Sequence, residues 1–146
     1  MIKPIVLDTT PLSLLCHRNI RLEEVRAARE WLRKRTDGGA LIYVPEIADD
    51  ELRRELIRAG KTTSIARLDT LIAELEYLPI DTATMRRAAE LWAQARNRGA
   101  PTAPPEALDA DVILAAQAEG AGAVVATENA GHLGRFVTAL HWRDIR

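Results

Sequence analysis

The sequence predicts an α/β fold with a mostly parallel central sheet flanked by helices, and three observations carry that reading. Short apolar runs recur along the chain, at Ile5-Val6-Leu7, Leu41-Ile42-Tyr43-Val44 and Ala123-Val124-Val125-Ala126. They are continuous rather than alternating, as strands covered on both faces are. Segments of helical periodicity separate them, which is the pattern of parallel strands joined by helical crossovers. A chain of 146 residues is of ordinary size for one domain with its own core, spanning 1–146.

The elements follow in order. Residues 4–8 form the first strand, closed by Asp8-Thr9-Thr10-Pro11. Thr10 is a suitable cap for a short helix reaching Cys16, with Pro11 in its first turn. A second helix starts near Leu22, carries Val25, Ala28 and Leu32 on one side, and stops at Asp37-Gly38-Gly39. Leu41–Val44 is the second strand. Pro45 and Glu46 open a helix to about Ala59, ended by Gly60, and a further helix runs from Ser64 to Glu76. Tyr77-Leu78-Pro79-Ile80 is a weak strand whose proline places it at an edge or a strand end.

Asp81 or Thr82 caps a long helix to about Arg98, with Met85, Ala88, Ala89, Trp92 and Ala95 as its apolar side. On that pattern Trp92 belongs to the core or to a dimer interface. Gly99 to Pro105 is a proline-rich loop. Ala110–Glu119 is a helix capped by Asp109 and stopped by Gly120 and Gly122. Ala123–Ala126 is a buried strand, a turn or short helix follows, and Val137–Trp142 is the last strand.

Composition excludes several classes. A net charge of −1 gives no global attraction to nucleic acid or membrane, so a nucleic-acid role needs a local basic patch. No apolar run approaches the roughly 20 residues of a membrane-spanning helix, and no signal peptide is read at the N-terminus. Cys16 is the lone cysteine, which suits a reducing compartment, and within an apolar stretch it reads as a small buried hydrophobe. The expected location is the cytoplasm. His17, His132 and His141 are scattered and lack zinc-like spacing, so each reads as a surface or packing residue. A base-stacking role is conceivable for Trp31 or Trp142, but no further feature of the sequence supports it.

The chemistry sits in the acids. Asp8 closes the first strand, Glu51 and Glu55 ride the helix after the second, Asp111 opens the helix Val112–Ala116, and Thr127-Glu128-Asn129 closes the strand 123–126. In an open parallel sheet the carboxyl ends of strands border one crevice. Converging carboxylates repel unless a cation joins them, and all-oxygen clusters suit magnesium or manganese. Such ions serve phosphate chemistry above all. Each acid also has an ordinary reading: Asp8 as a turn former, Asp109 and Asp111 as a helix start, Glu51 and Glu55 as partners of Arg54 and Arg58 on a salt-bridged face. Capping by Thr10 leaves Asp8 available. Helical phase at about 100° per residue puts Glu55 within the apolar stripe of Ala48, Leu52, Leu56 and Ala59, and Glu51 at its edge.

Taken together, Ile5-Val6-Leu7-Asp8-Thr9-Thr10, Val44-Pro45 leading to Glu51-Leu52-Arg53, Asp111-Val112-Ile113-Leu114-Ala115-Ala116-Gln117-Ala118, and Val125-Ala126-Thr127-Glu128-Asn129 with Phe136 downstream resemble a PIN domain. They are most similar to the VapC-like toxins of bacterial type II toxin–antitoxin systems. The resemblance implies a three-layer fold and a magnesium- or manganese-dependent ribonuclease. It also implies a homodimer, held inactive by an antitoxin that inserts a segment into the acidic groove. It assigns Asp8, Glu51 and Asp111 to the metal, with Asn129 at a fourth catalytic position often held by Asp. Thr9, Thr127 and Glu128 then support that set. Motif spacing favours Glu51 as the second acid where burial phase favours Glu55.

The leading expectation is hydrolysis of RNA phosphodiesters, with Arg53, Arg54, Arg58 and Lys61 as candidates for the RNA phosphate track. The alternative is a catalytically impaired PIN-like module that binds RNA or protein, which Asn129 in place of an acid keeps open. A different phosphotransfer enzyme ranks lower. Thr10 stands where a haloacid-dehalogenase-type signature needs a second Asp, and no Walker-type phosphate loop is present.

Overall fold

The computed structural model describes residues 2–98 and 105–146. Its centre is a five-stranded sheet of order β3-β2-β1-β4-β5, formed by β1 (Ile5–Leu7), β2 (Ile42–Pro45), β3 (Glu76–Leu78), β4 (Val124–Thr127) and β5 (Ala139–His141). Every neighbouring pair is parallel. The helices are α1 (Thr9–Cys16), α2 (Glu23–Asp37), α3 (Glu46–Arg58), α4 (Thr62–Glu74), α5 (Thr82–Asn97), α6 (Pro105–Gly120) and α7 (Ala130–Leu133), with a closing 3-10 turn at Trp142–Asp144.

Strand parity builds the layers. Successive side chains of a strand point to opposite faces. Ile5, Leu7, Ile42, Val44, Val124 and Ala126 face one core, filled by Leu12, Ala28, Trp31, Leu52 and Leu68 of α1 to α4. Val6 and Val125 face the other, filled by Leu114, Ala118 and Leu133 of α6 and α7. The result is the three-layer α/β architecture the sequence predicts, and β1 and β4 are buried throughout. At the edge, β3 ends before Pro79, where the missing N–H costs no ladder bond.

Three local expectations are corrected. Asp8, not Thr10, caps α1: its carboxylate accepts the Thr9 N–H at 2.7 Å. The helix therefore starts at Thr9, two residues earlier than expected. Asp109 is no cap either, because α6 already begins at Pro105, a residue whose fixed φ suits a first helical turn; the expected loop at 99–104 lies outside the described residues. On α5 the buried residues are Ala88 and Leu91, which pack on Leu108, Val112 and Ala115 of α6. Met85 and Trp92 stay exposed, at 47 % and 37 %, because α5 lies outside α6 and buries only the line that touches it. Cys16 is buried as expected, and burial pushes its thiol pKa up to about 12, so it stays a thiol.

The C-terminal turn is a clasp. Trp142 is 1 % exposed and meets Trp31 edge-on, with ring centroids 6.0 Å apart. The Ile145 carbonyl accepts the Trp31 indole N–H at 2.9 Å and the Arg35 guanidinium at 2.8 Å. Burial of both tryptophans removes them as stacking platforms for a base. Trp142→Ala is expected to destabilise the chain by about 3–5 kcal/mol, from lost packing and a cavity beside Trp31, read as a lower urea midpoint. An unchanged midpoint would show that the clasp holds nothing together.

Candidate functional site

The strand order turns from β1 toward β2 on one side and toward β4 on the other, so the topological switch point lies between β1 and β4. The candidate residues meet there. Asp8 follows β1, and its N–H extends the ladder by donating to the Ala126 carbonyl of β4 at 3.0 Å. Its two carboxylate oxygens are fixed separately. Oδ1 accepts the Thr9 N–H, and Oδ2 accepts the Thr127 hydroxyl at 2.7 Å. Thr127 is fully buried, and its hydroxyl oxygen in turn accepts the Asn129 N–H at 3.0 Å. A buried threonine thus sets the orientation of Asp8 and the path of the next turn together.

Glu51 arrives from α3. The Thr9 hydroxyl donates to its Oε1 at 2.8 Å, which brings the second acid to the start of α1. The first turn of α3 is anchored on several sides. Gln117, 2 % exposed, accepts the Ile47 N–H at 3.3 Å and donates to the Leu78 carbonyl at 2.7 Å. Glu46 accepts the Ile80 N–H at 2.7 Å, and Asp49 accepts the Tyr77 hydroxyl at 2.8 Å. These bonds fix the rotation of α3, and that rotation sends Glu55 outward. Glu55 is exposed and bound by Arg58, so the phase argument in its favour fails. The buried positions of α3 are Ala48, Leu52 and Leu56, and the stripe they form is narrower than predicted.

Asp111 projects from α6, partly buried. Burial is the main cause that raises its pKa, and the charges of Asp8 and Glu51 push it further in the same direction, against His132 and Arg135. His132 of α7 lies 3.5 Å from its Oδ2. Sequence reasoning set His132 aside for lack of metal-ligand spacing and did not single out Arg135. Only the fold of the chain after β4 puts these two side chains near Asp111. Asp109 is exposed, at the crevice between α5 and α6.

Glu128 does not join the group. Its oxygens are taken by the Trp142 indole N–H at 2.6 Å and by His141 at 3.0 Å, and these bonds hold its carboxyl below the usual range. It is a link to the C-terminal clasp, which corrects its expected supporting place. Asn129 is exposed at the start of α7. The basic residues of α3 are also spoken for: Arg53 bridges Asp49 and Asp69, Arg54 meets Asp50, and Arg58 holds Glu55. Lys61 stands exposed before α4.

Among the described residues no three His, Cys, Asp or Glu side chains stand close enough to form a ready-made coordination shell. The donor set still fits a hard divalent ion. It is all carboxylate oxygen, its charges are mutually unfavourable, and magnesium keeps several waters and needs few direct protein ligands.

Fold and site together define an α/β protein with an acidic centre at the switch point of a parallel sheet. The PIN domain family model matches residues 5–135, and the chain belongs to that family. No curated protein sequence matches it. Solved structures are similar over almost the whole chain. FitAcB from Neisseria gonorrhoeae shares 25 % identity at a TM-score of 0.71, over 96 % of this chain and 99 % of that one. VapBC2 from Rickettsia felis, bound to a DNA fragment from its promoter, shares 18 % at 0.72, over 94 % and 98 %. DNA-bound VapBC from Salmonella typhimurium shares 22 % at 0.68, over 97 % and 99 %.

The raised pKa of Asp111 has a stability consequence. A carboxyl titrating higher in the folded than in the unfolded chain binds more protons in the native state between the two values. Stability falls as pH rises through that window, and the deficit persists at neutral pH. Asp111→Asn is therefore expected to raise the Tm of ion-free protein at pH 7. The gain should vanish below about pH 4, where an unfolded aspartate is itself protonated. Thermal melts in EDTA at both values check this; a lower Tm for the variant at pH 7 would mean that Asp111 is not under electrostatic strain.

Proposed function

We propose that this chain is a magnesium- or manganese-dependent ribonuclease and the toxin of a toxin–antitoxin pair. The observation that supports the reading is that Asp8, Glu51 and Asp111, from three distant segments, lie within electrostatic reach of one another beside the carboxyl end of the sheet. Membership of the PIN domain family and likeness to VapBC and FitAcB chains support it.

In this reading Asp8, Glu51 and Asp111 hold the ion. The chemistry such an ion supplies is easier ionisation of water and neutralisation of charge on the phosphoryl group. The protein residues do the positioning. Thr127 and the Thr9 N–H keep Asp8 aimed, and the Thr9 hydroxyl keeps Glu51 beside it. Asn129, carried on the turn that Thr127 fixes, offers an amide to orient water or a phosphate oxygen. Arg135 adds positive charge and His132 a ring nitrogen at the Asp111 side, where the phosphate enters. The partners are RNA, a cognate antitoxin that covers the acidic centre, and a second copy of the chain, in the cytoplasm. Among the described residues no helix is long and apolar enough to cross a membrane.

The second reading is a PIN module that binds RNA or protein without cutting. It is favoured by Asn129 standing where a fourth acid would add charge, with Glu128 diverted to Trp142.

Asp8→Asn, Glu51→Gln and Asp111→Asn are each expected to lower magnesium-dependent cleavage of a mixed RNA pool by at least about 100-fold, the scale set by losing one stabilising group at a reacting centre. Circular dichroism should stay unchanged, and Glu55→Gln should cut at the wild-type rate. Cleavage surviving in both Asp8→Asn and Asp111→Asn, with freshly purified protein, would overturn the assignment. RNA binding without cleavage by the wild type would favour the second reading.

A further inference from the structure

A second polar cavity lies away from the acids, where the end of α1, the end of α3 and the start of α4 meet. It has a volume of about 470 Å³. The charged residues of its lining are Arg18 and Lys61, beside His17, with no aspartate or glutamate. In a chain of net charge −1 that is a local reversal of sign. Unlike Arg53, Arg54 and Arg58, neither Arg18 nor Lys61 enters an ion pair among the described residues. Glu55, within electrostatic reach of Lys61, is held by Arg58.

The start of α4 opens into this cavity. Gly60, with φ +67°, lets the chain turn sharply between α3 and α4. Lys61 at the cap position makes no side-chain capping bond. The backbone N–H groups of Thr63 and Ser64 find no acceptor among the described residues. Unsatisfied N–H groups and the positive end of the helix dipole favour an anion.

Ser64 is the second, independent indication. It is 6 % exposed, and its hydroxyl has no hydrogen-bond partner among the described residues. No side-chain polar atom there is both sealed from solvent and unpartnered, so the Ser64 hydroxyl keeps some solvent contact, and Ser64 lines the cavity. A nearly buried hydroxyl with no protein partner is free to bond a group that enters the cavity. Ser13 and Thr63 add hydroxyls around it, over an apolar floor of Cys16 and Leu56.

We propose that this cavity is a phosphate-binding site. Arg18 and Lys61 supply the charge, the Thr63 and Ser64 N–H groups and the Ser64 hydroxyl supply the directed donors, and the absence of lining acids excludes metal cations. A phosphate monoanion or dianion needs this combination of several donors with charge. Two sources fit: the backbone of an RNA strand, or a small phosphorylated ligand. The first rests on the ribonuclease reading; phosphate binding itself does not. The site lies at the far end of α1 from Asp8 and Thr9, a helical rise of about 10 Å, within the span of a bound strand of several nucleotides.

The test is titration of the full chain, in EDTA, with inorganic phosphate, followed by amide chemical shifts. The Thr63 and Ser64 resonances are expected to move and saturate. The exposed double variant Arg18→Ala/Lys61→Ala should weaken that binding by at least about tenfold, as loss of charge-assisted bonds implies. A Ser64→Ala variant should weaken it as well. Absence of a saturable shift, or equal binding by the double variant, overturns the proposal. A tetraribonucleotide lacking terminal phosphates serves as the second probe. If it moves the same amides in competition with phosphate, the source is the strand; if only free phosphate moves them, the source is a small ligand. Both outcomes are independent of whether the chain cleaves RNA.

Discussion

The rest of this molecule is arranged around a repulsion. Asp8, Glu51 and Asp111 are drawn toward one another, and the pKa of Asp111 shows the cost, raised by burial and by its two acidic neighbours. A fold of this size has little stability to spare, so such a cluster persists only where other bonds over-determine it. Those bonds are specific. The buried Thr127 hydroxyl and the Thr9 N–H take one oxygen each of Asp8, and the Thr9 hydroxyl takes Glu51. Replacing Asp111 would relieve that strain, whereas Asp8 also caps α1 and accepts the buried Thr127 hydroxyl. Groups that a structure holds at a cost are candidates for function.

Strand parity explains why so few residues suffice. Along β4, Val125 faces one core and Ala126 the other, and at its end Thr127 turns toward Asp8 while Glu128 goes to Trp142 and His141. Two adjacent residues thus fasten the same strand end to two places, the acidic centre and the C-terminal clasp. The clasp in turn is tied to α2 through Trp31, Arg35 and the Ile145 carbonyl. The turn that carries Asn129 and His132 is therefore fixed from behind by aromatic packing far from the acids.

Much of this was legible in the residues, because burial on both faces leaves continuous apolar runs and parallel strands leave helices between them. The strands and helices fall where those signals put them, within a residue or two in most cases. What failed were inferences about single side chains. Thr10 and Asp109 looked like caps because capping chemistry is local, but helix starts at Thr9 and Pro105 were decided by Asp8 and by proline. Met85 looked inward because periodicity defines a stripe and not its width; contact with α6 alone sets that. Glu55 looked inward until the anchoring of α3 by Gln117, Glu46 and Asp49 fixed its rotation. His132 and Arg135 left no local signal, since their place beside Asp111 depends on the path of one turn.

A protein of near-zero net charge that handles a polyanion must concentrate its cations where the polyanion lies. The arginines of α3 cannot serve, since each is matched by a carboxylate within reach. Cations outside the ion pairs of the described residues stand near α1 at several places, among them Arg135 within reach of Asp111, Arg67 on the His17 carbonyl, and Lys61 with Arg18 at the start of α4. Helix α1 joins the two regions, with Asp8 and Thr9 at its first turn and Cys16 and His17 at its last. A strand laid along that helix would meet the acids at one end and a cradle of N–H groups, hydroxyl and cations at the other. In the proposed reading that short helix sets the distance between the acids and the second site.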